Sequence, residues 1–179
     1  MELECVRRMV PDAVKGGFLD RAMNTLRSCH SELRNCLWDL RNEALEEPTM
    51  TAAIRRTLVP HLSDAALDVR FNFPRVRLSD TTAHTILRVI RELALNGIRH
   101  GGADRIKIAG AVEGEELKIS VRDNGCGYDP ATAPGVAQGH FGLEGIRERI
   151  RALSGSFTIG PRDHGGTRAV ITIPIGSAR

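Results

Sequence analysis

The feature that most restricts how this chain can fold is the run from Ser79 to Gly102, which reads as one long amphipathic helix with its own start and stop. Ser79 suits an N-cap, Asp80 adds negative charge to the first turn, and Gly101-Gly102 ends the run. Leu87, Ile90, Leu93, Ala94 and Ile98 recur at helical spacing and line one side. Glu92, Asn96 and His100 recur every fourth residue along another, with Arg99 beside them. A helix of this kind must lay its apolar side on a second layer, and the flanking segments supply one.

Arg105–Val112 and Glu116–Arg122 are strand-like runs joined by Glu113-Gly114-Glu115, a connection suited to a hairpin. In the second run Leu117, Ile119 and Val121 alternate with Lys118, Ser120 and Arg122, so one face is expected to be buried and one wet. Val69–Phe73 alternates in the same way and is closed by Pro74. Thr51–Leu67 is a second amphipathic segment, interrupted or bent at Pro60. Residues 123–140 are rich in Gly, Pro and Ala and read as a long loop, a kind of segment that is usually functional or mobile. A helix over Gly142–Ser154 comes next, with Ile146, Ile150 and Leu153 as its inner stripe and Gly155 as its stop. Phe157–Ile159 and Thr167–Ile173 are the last two strands, with a turn at Asp163-His164-Gly165-Gly166.

The N-terminal part has a different organisation. Leu19, Ala22, Leu26, Cys29, Leu33, Cys36 and Leu40 follow alternating three- and four-residue steps, a heptad seam within a helix spanning 19–45. Such a narrow stripe needs a partner helix, and a second copy of the chain is one source. The expected division is therefore 1–45 as an N-terminal segment with this helix and 46–179 as the main domain.

Composition excludes several classes. With 41% apolar and 26% charged residues in 179, the chain can build a core and is not disordered throughout. A net charge of +3, spread along the chain, argues against direct nucleic-acid binding. No run approaches the roughly eighteen apolar residues of a membrane span, so membrane attachment is expected only through segments outside this sequence. Cys5, Cys29, Cys36 and Cys126 show no CxxC spacing, which indicates reduced thiols and a cytoplasmic setting.

Four short stretches carry candidate chemistry. In the long helix, the Asn96 carbonyl is a hard oxygen that could anchor magnesium beside a polyphosphate. Arg99 and His100 could meet phosphate oxygens, and Glu92 could orient or deprotonate an attacking group. A solvated helix face is the competing reading. Asp123-Asn124-Gly125-Cys126-Gly127 follows a strand directly, so the carboxylate could accept from an exocyclic amine while Gly125 and Gly127 let backbone approach a flat ring; a simple turn would also fit. Gly139-His140-Phe141-Gly142-Leu143 leads from the loop into a helix N-terminus, where free N–H groups suit an anion. Gly166-Thr167 opens the last strand, and the Thr167 hydroxyl could join a base-binding network.

Taken in order, E-x-x-x-N, D-x-G-x-G after a strand, G-x-F-G-L after a loop, and G-T before a terminal strand resemble the Bergerat-type ATP-binding domain. Gyrase, Hsp-type chaperones, histidine kinases and MutL share that domain, and the resemblance covers about residues 50–179. The stretches R-E-L-A-L-N-G-I-R-H-G-G-A, G-L-E-G-I-R-E-R-I-R-A-L-S-G and G-T-R-A-V-I-T-I-P narrow it to sensor histidine kinases that pair with LuxR-type response regulators. The resemblance implies an α+β fold, a two-layer sandwich in which helices cover one face of a mixed, mostly antiparallel sheet, preceded by the heptad helix. It further implies ATP and Mg2+ as cofactors, with Asn96 holding the metal and Arg99 and His100 near the phosphates. Asp123 would read the adenine amine, and Gly125 and Gly127 would shape the base pocket. Gly139, Gly142 and Leu143 would belong to the lid, Thr167 would back the base, and Glu92 would be the acidic member of the helix motif. The partners implied are a LuxR-type response regulator and a second copy of the chain.

The sequence departs from the family pattern at Gly97, where Ala is usual, and at Tyr128, where Phe is more common. No His is followed by Asp or Glu, as a phosphoacceptor would be, and His30 lacks that neighbour. The helix 19–45 looks like the second helix of a dimerisation hairpin. The acceptor is therefore expected outside this chain, with ATP binding but little autophosphorylation. An anti-sigma-factor-type serine kinase and a non-catalytic dimerising module with an idle pocket are the alternatives.

Overall fold

Ser79 does cap the long helix: its hydroxyl accepts from the Thr82 N–H at 3.1 Å, and the helix runs over Asp80–Arg99. The structure is a computed structural model that describes residues 43–62, 64–71, 73–128 and 142–175. The elements are α1 (Met50–Leu58), β1 (Ala66–Phe71), α2 (Asp80–Arg99), β2 (Arg105–Glu113), β3 (Glu116–Asp123), α3 (Gly142–Ala152), β4 (Ser156–Pro161) and β5 (Thr167–Pro174). The strands form one sheet in the order β1-β2-β3-β5-β4. Among the described strands only the β1–β2 pair is parallel, joined through α2, and the other three pairs are antiparallel. The mixed, mostly antiparallel sheet of an α+β sandwich is thus the observed architecture.

The core lies between the three helices and one face of the sheet. Ile106 and Ile108 of β2, Leu117, Ile119 and Val121 of β3, and Ala169, Ile171 and Ile173 of β5 are buried toward it. Over them α2 buries Ala83, Ile86, Leu87, Val89, Ile90, Leu93, Ala94, Leu95 and Gly97. That arc is wider than the stripe expected from periodicity, because α1 and α3 flank α2 on the helical layer. Each large apolar side chain removed from water here stabilises by about 1.5–3 kcal/mol, more than the modest propensity cost of the Thr residues in α2. On the opposite face of the sheet Lys107, Lys118, Arg122 and Arg168 are exposed.

Several boundaries differ from those read off the pattern. The segment Thr51–Leu67 is interrupted at Pro60 as expected, with α1 ending at Leu58 and Val59–His61 making a 3-10 turn, but its end overruns, since Leu67 already belongs to β1. Pro60 cannot donate to the preceding turn, so the α-helical ladder stops there. β1 ends at Phe71 rather than Phe73, since Pro74 forms an isolated bridge with Thr49 instead. Residues Glu43–Glu46 form a 3-10 turn and do not continue a helix to residue 45. The rest of the expected heptad helix, with Cys29, His30 and Cys36, lies outside the described residues.

The end of α3 also differs in detail. Ser154, with φ 55°, takes the left-handed position, while the Gly155 N–H caps the Ile150 carbonyl at 2.9 Å. Gly155 is required by packing instead, since a Cβ there would stand 2.5 Å from the Thr172 carbonyl oxygen.

Candidate functional site

Three chain segments meet at the C-terminal end of α2: the end of β3, the start of β5 and the start of α3. At the first junction Asp123 is 8% exposed, which for a carboxylate demands bonded partners. Its Oδ1 accepts from the backbone N–H of Gly125 at 2.9 Å and of Thr167 at 3.1 Å. Oδ2 lies 3.1 Å from where a Cβ on Gly97 would stand. Among the described residues no donor reaches Oδ2. Among the described residues the buried carboxylate is thus held through one oxygen, with the other left to accept.

The glycines around it allow close contact, and Gly166, with φ 85°, also meets a turn geometry that favours glycine. A Cβ on Gly125 would sit 2.5 Å from the Gly101 carbonyl oxygen, whose place is fixed by the Cys126 N–H donating to it at 2.8 Å. A Cβ on Gly166 would sit 2.1 Å from the Asp123 carbonyl oxygen. These two absences let the β3 loop, the end of α2 and the β4–β5 turn close on one another. At Gly97, where the family pattern has Ala, a Cβ would come to 3.0 Å from the Asp123 Cβ, a tight contact that a shift of a few tenths of an ångström would relieve.

The second junction involves Glu92, Asn96 and α3. Oε2 of Glu92 accepts from Nη1 of Arg149 at 3.2 Å. Both side chains are about one-quarter exposed. Burial pushes the Glu92 carboxyl above its ordinary value, opposed by the positive charges of Arg149, Arg88 and Arg91. A Cβ on Gly142 would be 2.7 Å from Glu92 Oε1 and 4.0 Å from Asn96 Nδ2. Gly142 and the half-buried Leu143 thus open α3 directly beside the polar row of α2.

The remaining candidates are spread over the same end of the sheet. Arg99 and His100 are exposed at the last turn of α2, with the His100 N–H donating to the Asn96 carbonyl at 2.9 Å. Thr167 reaches Asp123 through its backbone N–H. Gly127 has φ 92° and packs near the Gly166 carbonyl. Gly139, His140 and Phe141 lie outside the described residues. Glu92, Asn96, Asp123, Gly125, Gly142 and Thr167 are consequently gathered around residues 92–101.

Residues 81–177 match the family described as histidine kinase-, DNA gyrase B-, and HSP90-like ATPase, more than half of the chain. The chain belongs to this family. It is 28% identical over 178 residues to the nitrate/nitrite sensor protein NarX of Escherichia coli (strain K12), covering 96% of this chain and 29% of NarX. It is 30% identical over 155 residues to the signal transduction histidine-protein kinase/phosphatase UhpB of Salmonella typhimurium, covering 81% of this chain and 28% of UhpB. The chain thus spans less than one third of the length of either relative. Among solved structures, the ATP binding domain of PrrB from Mycobacterium tuberculosis superposes with a TM-score of 0.55 at 17% identity, over 72% of this chain and 96% of that one. At that identity the likeness shows the fold, which is that of histidine kinase ATP-binding domains. Relatives that are sensor kinases do not favour the anti-sigma or idle-module alternatives.

For a member of this family, the site contains residues that motif reading passes over. Arg149 holds Glu92, and Arg162 donates from Nη1 to the Asp123 carbonyl at 2.7 Å, tying the β4–β5 turn to the end of β3. Asn124 accepts from the Arg105 N–H at 2.9 Å and donates to Asp104 at 2.7 Å, which fixes the base of the same loop. An Asn after a strand-end Asp is a weak hint of such bridging, whereas nothing local marks Arg149 or Arg162. Among the described residues there is no cluster of His, Cys, Asp or Glu able to hold a metal by itself, and no helix long and apolar enough to cross a membrane.

Proposed function

We propose that this chain binds ATP with magnesium at the junction of α2, the β3 loop and α3. We further propose that it serves as the phosphoryl-donating domain of a two-component sensor histidine kinase paired with a LuxR-type response regulator. Asp123 carries the reading: one carboxylate oxygen is pinned by two backbone N–H groups while the other has no donor among the described residues, an acceptor suited to the exocyclic amine of adenine. Gly125 and Gly127 shape the base pocket, with Thr167 behind it.

The opposite end of the site suits a polyphosphate with a hard cation. Asn96 offers one carboxamide oxygen, in keeping with magnesium's habit of retaining waters and taking few protein ligands. Bound there, the ion would neutralise phosphate charge. Arg99 and His100, exposed on the last turn of α2, are in the same region to meet phosphate oxygens, and the family resemblance assigns Gly139, Gly142 and Leu143 to the lid. Phosphoryl transfer needs positioning and charge neutralisation more than covalent help, which such a set provides. In this reading residues 1–45 supply a dimerisation helix, 46–179 form the catalytic domain, and the phosphoacceptor histidine lies outside this chain. The relatives are themselves sensor proteins much longer than the matched region, which supports a role as one part of a signalling kinase.

Calorimetric titration with a non-hydrolysable ATP analogue, with and without magnesium, tests the assignment. Wild-type protein is expected to bind with magnesium-dependent affinity, Asp123→Ala to lose at least about tenfold, and Asn96→Ala to lose the magnesium dependence; a tenfold loss is about 1.4 kcal/mol. Absence of binding by the wild type, or affinities within about twofold for both variants, would overturn it.

A further inference from the structure

Glu92 brings a carboxylate to the flank of α2 that faces the start of α3. Its Oε1 lies 2.7 Å from where a Cβ of Gly142 would stand, and Asn96 Nδ2 lies 4.0 Å from that same point. Carboxylate, carboxamide and the first residue of α3 therefore share one corner. Arg149 closes that corner, with Nη1 at 3.2 Å from Glu92 Oε2 across 57 residues of sequence. Its guanidinium is laid along Gly145, with Nη2 at 3.3 Å from the position a Cβ would take. A larger residue at 145 would displace the guanidinium.

The corner poses an electrostatic problem for an anionic ligand. Phosphate oxygens arriving between Asn96 and the N-terminus of α3 would meet the Glu92 carboxylate in a partly desolvated place, where like charges repel more strongly than in water. The positive end of α3 offsets only part of this. Arg149, bonded to Oε2 while Oε1 is the oxygen nearest Gly142, offsets that repulsion.

We propose that Arg149 is a positioning residue for the nucleotide site: it seats Glu92 beneath Gly142 and cancels its charge, so that phosphate can occupy the space beside Asn96. This rests on the nucleotide reading above. It also assigns Glu92 a structural task, since Oε2 is bonded to Arg149 and Oε1 is turned toward Gly142.

The test uses the full chain with magnesium and the ATP analogue in calorimetry, comparing wild type, Arg149→Met, Arg149→Lys and the double variant Glu92→Gln/Arg149→Met. Methionine keeps an unbranched stem over Gly145 and removes the charge. Arg149→Met should weaken binding on the order of tenfold, Arg149→Lys should stay close to wild type, and the double variant should regain most of the lost affinity. A double variant no tighter than Arg149→Met would assign Arg149 a packing role only and overturn the proposal. Should Arg149→Met fail to fold, a large loss in Arg149→Lys overturns it equally. Wild-type protein that binds no nucleotide overturns the nucleotide reading and this inference together. Wild-type binding that is lost in Asp123→Ala but indifferent to Arg149→Met overturns this inference alone.

Discussion

Glu92 illustrates what a single residue contributes beyond its motif. Burial raises its carboxyl above the ordinary 4.5, while Arg149, Arg88 and Arg91 pull it back down without cancelling the rise. A carboxyl whose folded-state pKa is raised binds its proton more tightly in the folded than in the unfolded chain. Its contribution is therefore fully present below 4.5 and is lost as pH climbs through the raised value. Urea unfolding of wild type and Glu92→Gln at steps from mildly acidic to neutral pH should show the wild type losing stability relative to the variant as pH rises; the opposite slope would contradict the assigned direction. Legibility differs sharply between neighbours in this site. Asp123 announces itself by a strand followed by D-x-G-x-G. Arg149 sits in R-E-R-I-R, where Arg147 and Arg151 look equivalent, and only the fold shows that Arg147 and Arg151 lean on Glu144 while Arg149 reaches α2.

Elements are most legible where their pattern is local. The alternation in β2 and β3 and the caps of α2 depend on near neighbours, and both strands extend only one residue past the expected ends. Pairing partners are not legible in the same way. β1 lies parallel to β2, and β5 inserts between β3 and β4, pairings that no local pattern marks. That order puts Lys107 opposite Arg122 and Arg122 opposite Arg168 on the exposed face. Asp68 of β1 faces Lys107 and offsets it in part, but Arg122 still has a cation on either side, and a like-charged pair costs a few tenths to about 1 kcal/mol. Arg122→Thr should therefore stabilise the sheet by about 0.2–1 kcal/mol at low salt, since threonine also favours strands. The gain should shrink in roughly 0.5 M salt, as screening shortens the range of surface charge. Denaturant midpoints that fall on substitution at low salt would show that the Arg122 bond to the Ser120 hydroxyl matters more than the repulsion.

For the molecule as a whole, the described residues form part of a single compact unit in which the proposed ligand would touch α2, the β3 loop and α3 at once. Binding that bridges elements far apart in sequence stabilises the fold by mass action, about 2.7 kcal/mol at a hundredfold excess over Kd. Thermal unfolding with ATP analogue and magnesium should accordingly shift upward by roughly 5–10 °C for a chain of this size. An unchanged Tm at saturating nucleotide would argue against a shared site. The amino-acid order alone was enough to specify the strand and helix periods, the capping of α2, the alternation of wet and buried positions and the candidacy of Asp123 and Asn96. All of these follow from local chemistry repeated at the period of one element. Packing of the whole chain was needed to bring Thr167 to Asp123 across 44 residues and Arg149 to Glu92 across 57. It was needed equally to show that glycines 97, 125 and 166 let backbone and carboxylate close on each other. Contacts of that kind depend on which surfaces pack together, and no local repeat in the chain encodes the choice.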